Sequence, residues 1–332
     1  MASSLPADLR TETPKPTRGR RSSMWSWRWS DRLIFLGTWA AGLALCLIAG
    51  AIVVYMGVRG IQYLRPQLLV ERPQLSLDQS GSGGFLDPLA GTALLTVIGM
   101  AIATPLGVAT AFWIVEYGRP AGLARLVESS VEIVAGTPDI VIAIFGLAVF
   151  QLSALGVFSS TSEAGVVTGH SFLAAGATMS LIALPPLFVA TRDGLESVPR
   201  HLREASYALG KTRIATIRRV LLPAIRSNIA TGGTLGISRI IGDTAIVVII
   251  LGDAYRLEPQ GSVPGISLLR GLGSTLTSYV YNNSPAGEGN ASEKAYAAAF
   301  VLLIFVLVLN WLVGRISRRT ADRMGLDALS GL

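Results

Sequence analysis

Apolar residues gather into six long runs separated by polar stretches: Leu33 to Met56, Pro88 to Val115, Ile140 to Phe158, Ser171 to Thr191, Asn228 to Leu251 and Ala295 to Val313. Only the fifth carries charge, Arg239 and Asp243. At about 1.5 Å per helical residue, a run of roughly 20 residues crosses the ~30 Å hydrocarbon layer. The pattern therefore predicts six transmembrane helices. Pro105, Pro185 and Pro186 fall inside runs, where neighbouring helices satisfy the carbonyls that proline frees. The runs are continuous rather than alternating, which excludes a β-barrel.

The polar stretches set the orientation. With both termini inside, the inner segments 1–32, 116–139, 192–227 and 314–332 hold 21 Lys and Arg, and the outer segments 57–87, 159–170 and 252–294 hold 6. Basic residues stay on the cytoplasmic side, so both termini are expected there. Residues 1–31, with Pro14, Pro16, Arg18, Arg20, Arg21, Trp25, Trp27 and Trp29, read as a disordered tail whose tryptophans meet the membrane interface. In the last outer segment, Leu268, Leu269, Leu272, Leu276 and Tyr279 repeat at helical spacing, predicting a short interfacial helix within 261–283.

Composition narrows the chemistry. The chain is 51% hydrophobic and 15% charged, against about 25% charged in a soluble domain. Cys46 is the single cysteine, and His170 and His201 are the only histidines. No disulfide framework, metal site or cofactor is expected. The net charge of +7 is segregated by topology, which argues against a nucleic-acid partner. Gly210-Lys211-Thr212 is no phosphate-binding P-loop, because Ala205 stands where that motif needs its first glycine. The chain is not expected to be an enzyme.

The longest inner loop, ESVPRHLREASYALGKTRIATIRRVLLPAIRSNI, predicts two short helices. Pro199 suits a helix start and Gly210 a helix end. Leu202, Ala205, Ser206 and Leu209 share one face of the first; Ile214, Ile217 and Leu221 line the second. So short a helix is marginal in water and needs a surface to dock on. That surface is either a cytoplasmic partner or the lipid headgroups. Glu128 and Glu132 lie four apart before the third run; Glu128 reads as solvated, while Glu132 is equally a solvated or a partner-facing charge. Ala230, Gly232, Gly233 and Gly236 form a strip that admits close helix approach, within the subunit or across a subunit pair. Arg239 and Asp243 lie four apart on one helical face. They are either mutual partners that fix packing, or Arg239 lines a path that Asp243 restrains.

Glu204-Ala205-Ser206, Gly210, Val220, Leu222 and Pro223 stand at the intervals of the EAA loop, which this segment resembles, of bacterial ABC-importer permeases. Ser and Val replace the usual Ala and Ile. Four further pieces resemble the phosphate-importer permeases, the PstA type more than the PstC type: AGTALLTVIGMAIATPLGVATAFWIVEYG, VEIVAGTPDIVIAIFGL, SVPRHLREASYALGKTRIATIRRVLLPA and SRIIGDTA. Asp139 stands where that family usually has Ser, and Asp243 where it has Glu. The resemblance covers roughly residues 85–315.

The resemblance implies an all-α integral membrane protein with the MetI-like architecture. Its parts would be a tail (1–31), a first helix and outer loop (32–84), a permease core (85–315) with the coupling loop at 196–226, and a cytoplasmic tail (316–332). The chain would pair with a homologous PstC-like permease in the bacterial inner membrane. Two PstB-like ATP-binding subunits would dock on the loop through Glu204, Ala205, Ser206, Gly210, Leu222 and Pro223. An extracytoplasmic binding protein would deliver inorganic phosphate along a path that includes Arg239, Asp243 and Thr244. Molybdate or sulfate are alternative substrates. A secondary transporter, which usually has repeated halves, and a membrane enzyme, which needs facing catalytic groups, fit less well.

Overall fold

The computed structural model describes residues 29–73, 83–162, 165–252, 254, 256–260, 266–285, 287 and 290–330, with side chains to 315. The tail 1–28 lies outside them. The described residues divide into two compact units between Tyr55 and Met56. Helix α1 spans Trp29–Tyr63. In the first unit its apolar side chains, from Leu33 to Val54, are exposed, as suits a surface solvated by lipid.

In the second unit, α2 runs Leu86–Phe112 and widens into a π-turn at Trp113–Tyr117. Next come α3 (Ala121–Gly136), α4 (Asp139–Phe150), α5 (Phe172–Ser197), α6 (Arg200–Ala208), α7 (Arg213–Thr216), α8 (Leu222–Gly242), α9 (Leu276–Asn283) and α10 (Ser292–Ser330). Among the described residues only isolated β-bridges occur, Thr161–Val167 and Glu258–Leu272. Helix α5 is the hub. Met179, Ile182 and Leu187 pack with Leu95 and Ile98 of α2 and Ile240 of α8. A second cluster joins Phe112, Val131, Phe188, Leu195, Leu221 and Ile225 near the loop. Within the small-residue strip Gly232 is the tightest position: a Cβ there would lie 2.9 Å from the Leu187 Cα and 3.0 Å from the Pro186 carbonyl. Gly236 likewise faces Ala183 of α5, so these two glycines of the strip pack inside the subunit.

Among the described residues, four single helices are long and apolar enough to cross a membrane: Trp29–Tyr63, Leu86–Tyr117, Phe172–Ser197 and Ser292–Arg315. The other two apolar runs depart from straight spans. The third is not one helix over 140–158. Helix α4 is 12 residues long, about 18 Å, and joins α3 at a 110° bend. Pro138 lacks a backbone donor and drives Thr137 into extended geometry (ψ 133°). Residues 121–136, expected as loop, are therefore a helix. The fifth run breaks at Asp243, which is extended (ψ 131°), and helix resumes over 245–251. The interfacial helix expected within 261–283 is also corrected. It is two pieces, Ile266–Leu269 and Leu276–Asn283, and Leu272 between them bridges to Glu258. Gly271 and Gly273 allow this, because a Cβ at either would meet the Glu258 carbonyl or the Phe172 ring.

Candidate functional site

Two regions carry the residues singled out by sequence: the loop at 196–226 and the broken helix around 239–244. In the loop, α6 ends in a Schellman motif. Gly210 is left-handed (φ +72°), the Gly210 amide donates to the Tyr207 carbonyl (2.9 Å), and the Lys211 amide donates to that of Ser206 (3.2 Å). A Cβ at Gly210 would meet nothing within 4 Å, so only backbone conformation demands glycine there. Thr212 caps α7 by accepting from the Ala215 amide. The buried hydroxyls of Ser206 and Thr216 bond at 2.8 Å and tie the two helices together. The predicted apolar face of α6 divides: Ser206 is turned inward, while Leu202, Ala205 and Leu209 (77% exposed) face outward. Glu204 is exposed and makes no hydrogen bond within its own loop. It is not a cap.

The second helix of the loop is not separate from the fifth run. α7 passes through a π-turn at Ile217–Leu221 directly into α8, with Pro223 in its first turn and Leu222 half out in the open. The wide turn accommodates a proline that has no amide to donate and crowds the carbonyl four residues back. From Arg213 to Arg239 the helical rod is about 39 Å long.

Sequence reasoning missed what holds this loop. The Arg203 guanidinium donates from Nε to Glu116 Oε1 (3.0 Å), from Nη1 to the Val198 carbonyl (2.9 Å) and from Nη2 to the Leu195 carbonyl (2.7 Å). The two side chains are 17% and 7% exposed. The clamp joins α6 to the end of α5 and to the π-turn after α2. A basic and an acidic residue separated by 87 positions give no local signal. Beside it, Glu128 is not simply solvated. It pairs with Arg192, which also holds Glu196 at 2.8 Å. Glu132 is exposed.

At the broken helix the first of the two alternatives, Arg239 and Asp243 as mutual partners, is not what forms. Arg239 Nη2 lies 3.5 Å from Asp139 Oδ1, at the start of α4. The buried Asp243 carboxylate instead accepts from the Ile246 amide (2.8 Å) and so caps the segment beyond the break. Thr244 is half-buried, and its carbonyl accepts from the Val248 amide. Among the described residues there is no cluster of three or more His, Cys, Asp or Glu that would hold a metal.

The family model described as binding-protein-dependent transport system inner membrane component matches residues 103–322. The chain belongs to this family. Among curated relatives, the probable ABC transporter permease protein YqgH of Bacillus subtilis is 30% identical over 289 residues, covering 82% of this chain and 88% of that one. The phosphate transport system permease protein PstC of Xylella fastidiosa is 30% identical, covering 68% and 69%. PstA 1 of Mycobacterium tuberculosis is also 30% identical, covering 70% of each. Identity therefore does not separate the PstA type from the PstC type. Two solved structures share the fold. A bacterial alginate ABC transporter with its alginate-bound periplasmic protein gives a TM-score of 0.60 at 17% identity, over 88% of this chain and 96% of that one. The MetNI methionine ABC transporter, inward facing, gives 0.52 at 21%, over 71% and 94%. The chain is thus a multi-pass ABC-importer permease subunit of MetI-like fold.

Proposed function

We propose that this permease subunit imports inorganic phosphate, working with a PstC-like partner permease, two PstB-like ATP-binding subunits and an extracytoplasmic phosphate-binding protein. The observation that carries the substrate is Arg239. It is a guanidinium 41% exposed, the one cation in the fifth apolar run, and among the described residues a single acceptor occupies one of its five donors. A charge at such a depth is costly and normally faces a wet path, and a guanidinium matches a multi-oxygen anion in geometry and charge. The phosphate permeases among the relatives support the same choice.

Coupling is assigned to the loop. The outward face of α6, with Leu202, Ala205 and Leu209 and the free Glu204, is the docking surface for an ATP-binding subunit; Ser206 and Gly210 shape it, and Leu222 and Pro223 join it to the span. Hydrolysis occurs on that other subunit. Closure there moves α6; the Arg203 clamp passes the movement to α2 and α5, and the rod from Arg213 passes it to the break at Asp243. The partners bias this equilibrium only through different affinities for its two states. Both termini lie in the cytoplasm, so a reporter after Arg319 is active only if it works inside, and one after Pro285 only if it works outside.

The substrate is tested by reconstituting the full complex with its cognate binding protein and measuring uptake of phosphate, sulfate and molybdate. Phosphate uptake well above the other two is expected. Preference for either rival oxyanion overturns the assignment while leaving the permease role intact.

A further inference from the structure

Asp139 is the first residue of α4, just past the 110° bend, and it is the carboxylate that pairs with Arg239 of α8; Asp243 lies near enough to feel both charges but caps its own helix. The contact is one long bond, 3.5 Å from Nη2 to Oδ1, between side chains 41% and 35% exposed. Arg239 makes no other hydrogen bond or ion pair among the described residues. Each partner has an alternative. The carboxylate is also stabilised by the N-terminal dipole of its 12-residue helix. The guanidinium keeps most of its donors open to an incoming anion. The two charges ride on different bodies, α4 beyond a bend and α8 at the end of the loop-driven rod. A movement of either element changes their separation.

We infer that Asp139 is a specificity and release residue: an internal carboxylate that competes with the transported anion for Arg239. This rests on the phosphate-path reading of Arg239. In the closed state Asp139 occupies the guanidinium. Phosphate entering the path displaces it and takes the free donors, while Asp139 falls back on its helix terminus. When the helices move again Asp139 returns and discharges the anion, so a fixed cation in the path does not become a trap. No covalent step is involved; one charge-assisted hydrogen bond exchanges for others.

The test uses the complete complex in proteoliposomes, with cognate binding protein outside, ATP inside and inorganic phosphate added on the cytoplasmic face as inhibitor. D139N removes the competing charge, so the phosphate concentration that half-inhibits uptake should fall about threefold to fivefold, the scale of an exposed pair that contributes up to about 1 kcal/mol. D139E keeps the charge and should behave as the parent, and D139S serves if D139N assembles poorly. Unchanged inhibition in assembled D139N or D139S overturns the role of Asp139. R239Q separates the two layers: it should abolish uptake with assembly intact. If R239Q transports normally, the phosphate-path reading itself falls; if it is inactive and the Asp139 variants behave as the parent, only this inference falls.

Discussion

Two arginine–carboxylate pairs in this chain are chemically alike and physically opposite. Arg203 and Glu116 are buried, and the guanidinium has three short bonds on three structural elements. Arg239 and Asp139 are half-exposed and share one long bond. Removing one partner of a buried pair strands the other and costs about 3–5 kcal/mol, whereas an exposed pair contributes about 0–1 kcal/mol. The first is a joint that moves as a unit. The second is a contact that opens without large loss. On the proposed function the two serve different needs: rigid transmission from the ATP-binding subunits, and an exchangeable contact where the anion passes.

The largest effect is expected at the exchangeable pair, where function rather than stability is at stake. R239Q should abolish uptake with normal membrane abundance, and R239K, which keeps a cation but not the planar fork, should retain part of it. Neutralising Asp243 as well, as R239Q with D243N, should not restore transport, because the two residues do not pair. Rescue by that double variant would mean that they do.

Next comes the joint. R203Q or E116A should lower the stability of the purified subunit by about 3–5 kcal/mol and reduce uptake steeply. The apolar double replacement E116L with R203M should recover abundance, since packed hydrophobic side chains substitute well for a buried pair. It should leave ATP hydrolysis poorly coupled to transport. Full recovery of coupled uptake would show that the clamp only holds the loop in place.

A smaller effect is expected from Gly210. In G210V the new side chain has room but the left-handed backbone does not suit it, a strain of about 1–3 kcal/mol. Transport per ATP hydrolysed should fall while the chain remains in the membrane. G210N should fall less, because Asn tolerates that conformation. Equal coupling in both variants and the parent would sink the role of the loop end.

The least effect on transport belongs to T216V, which removes the Thr216 hydroxyl and its bonds with Ser206 and the Thr212 carbonyl at nearly constant volume. About 1 kcal/mol should be lost, read as a small drop in the unfolding midpoint of the purified subunit with little change in uptake.

The loop at 196–226 was partly legible in the chain because its signals are local. At Gly210 the helix closes through the Gly210 amide, bonded three positions back, and the Lys211 amide, bonded five positions back, and Thr212 starts the next helix through a residue three ahead. The broken helix was legible only as an anomaly, charge inside an apolar run. Spacing placed Asp243 beside Arg239, yet Asp243 leaves the helix to cap the segment from Ala245 onward, and the partner of Arg239 lies 100 positions away. Hydropathy likewise marked all six runs but not the bends in two of them. Pro138 is visible in sequence, while the 110° turn needs α3 and α4 to find different neighbours.

By itself, then, the sequence determined that the chain is a helical membrane protein, where its apolar segments lie, and that a loop helix ends at Gly210. These depend on transfer of short segments from water to lipid and on hydrogen bonds within a few residues. Tertiary structure alone decided which carboxylate each buried or intramembrane arginine meets. It also decided which face of the loop helix stays open and where the spans break. Those outcomes depend on elements brought together from across the chain, because a charge removed from water takes whatever partner the packing places within reach.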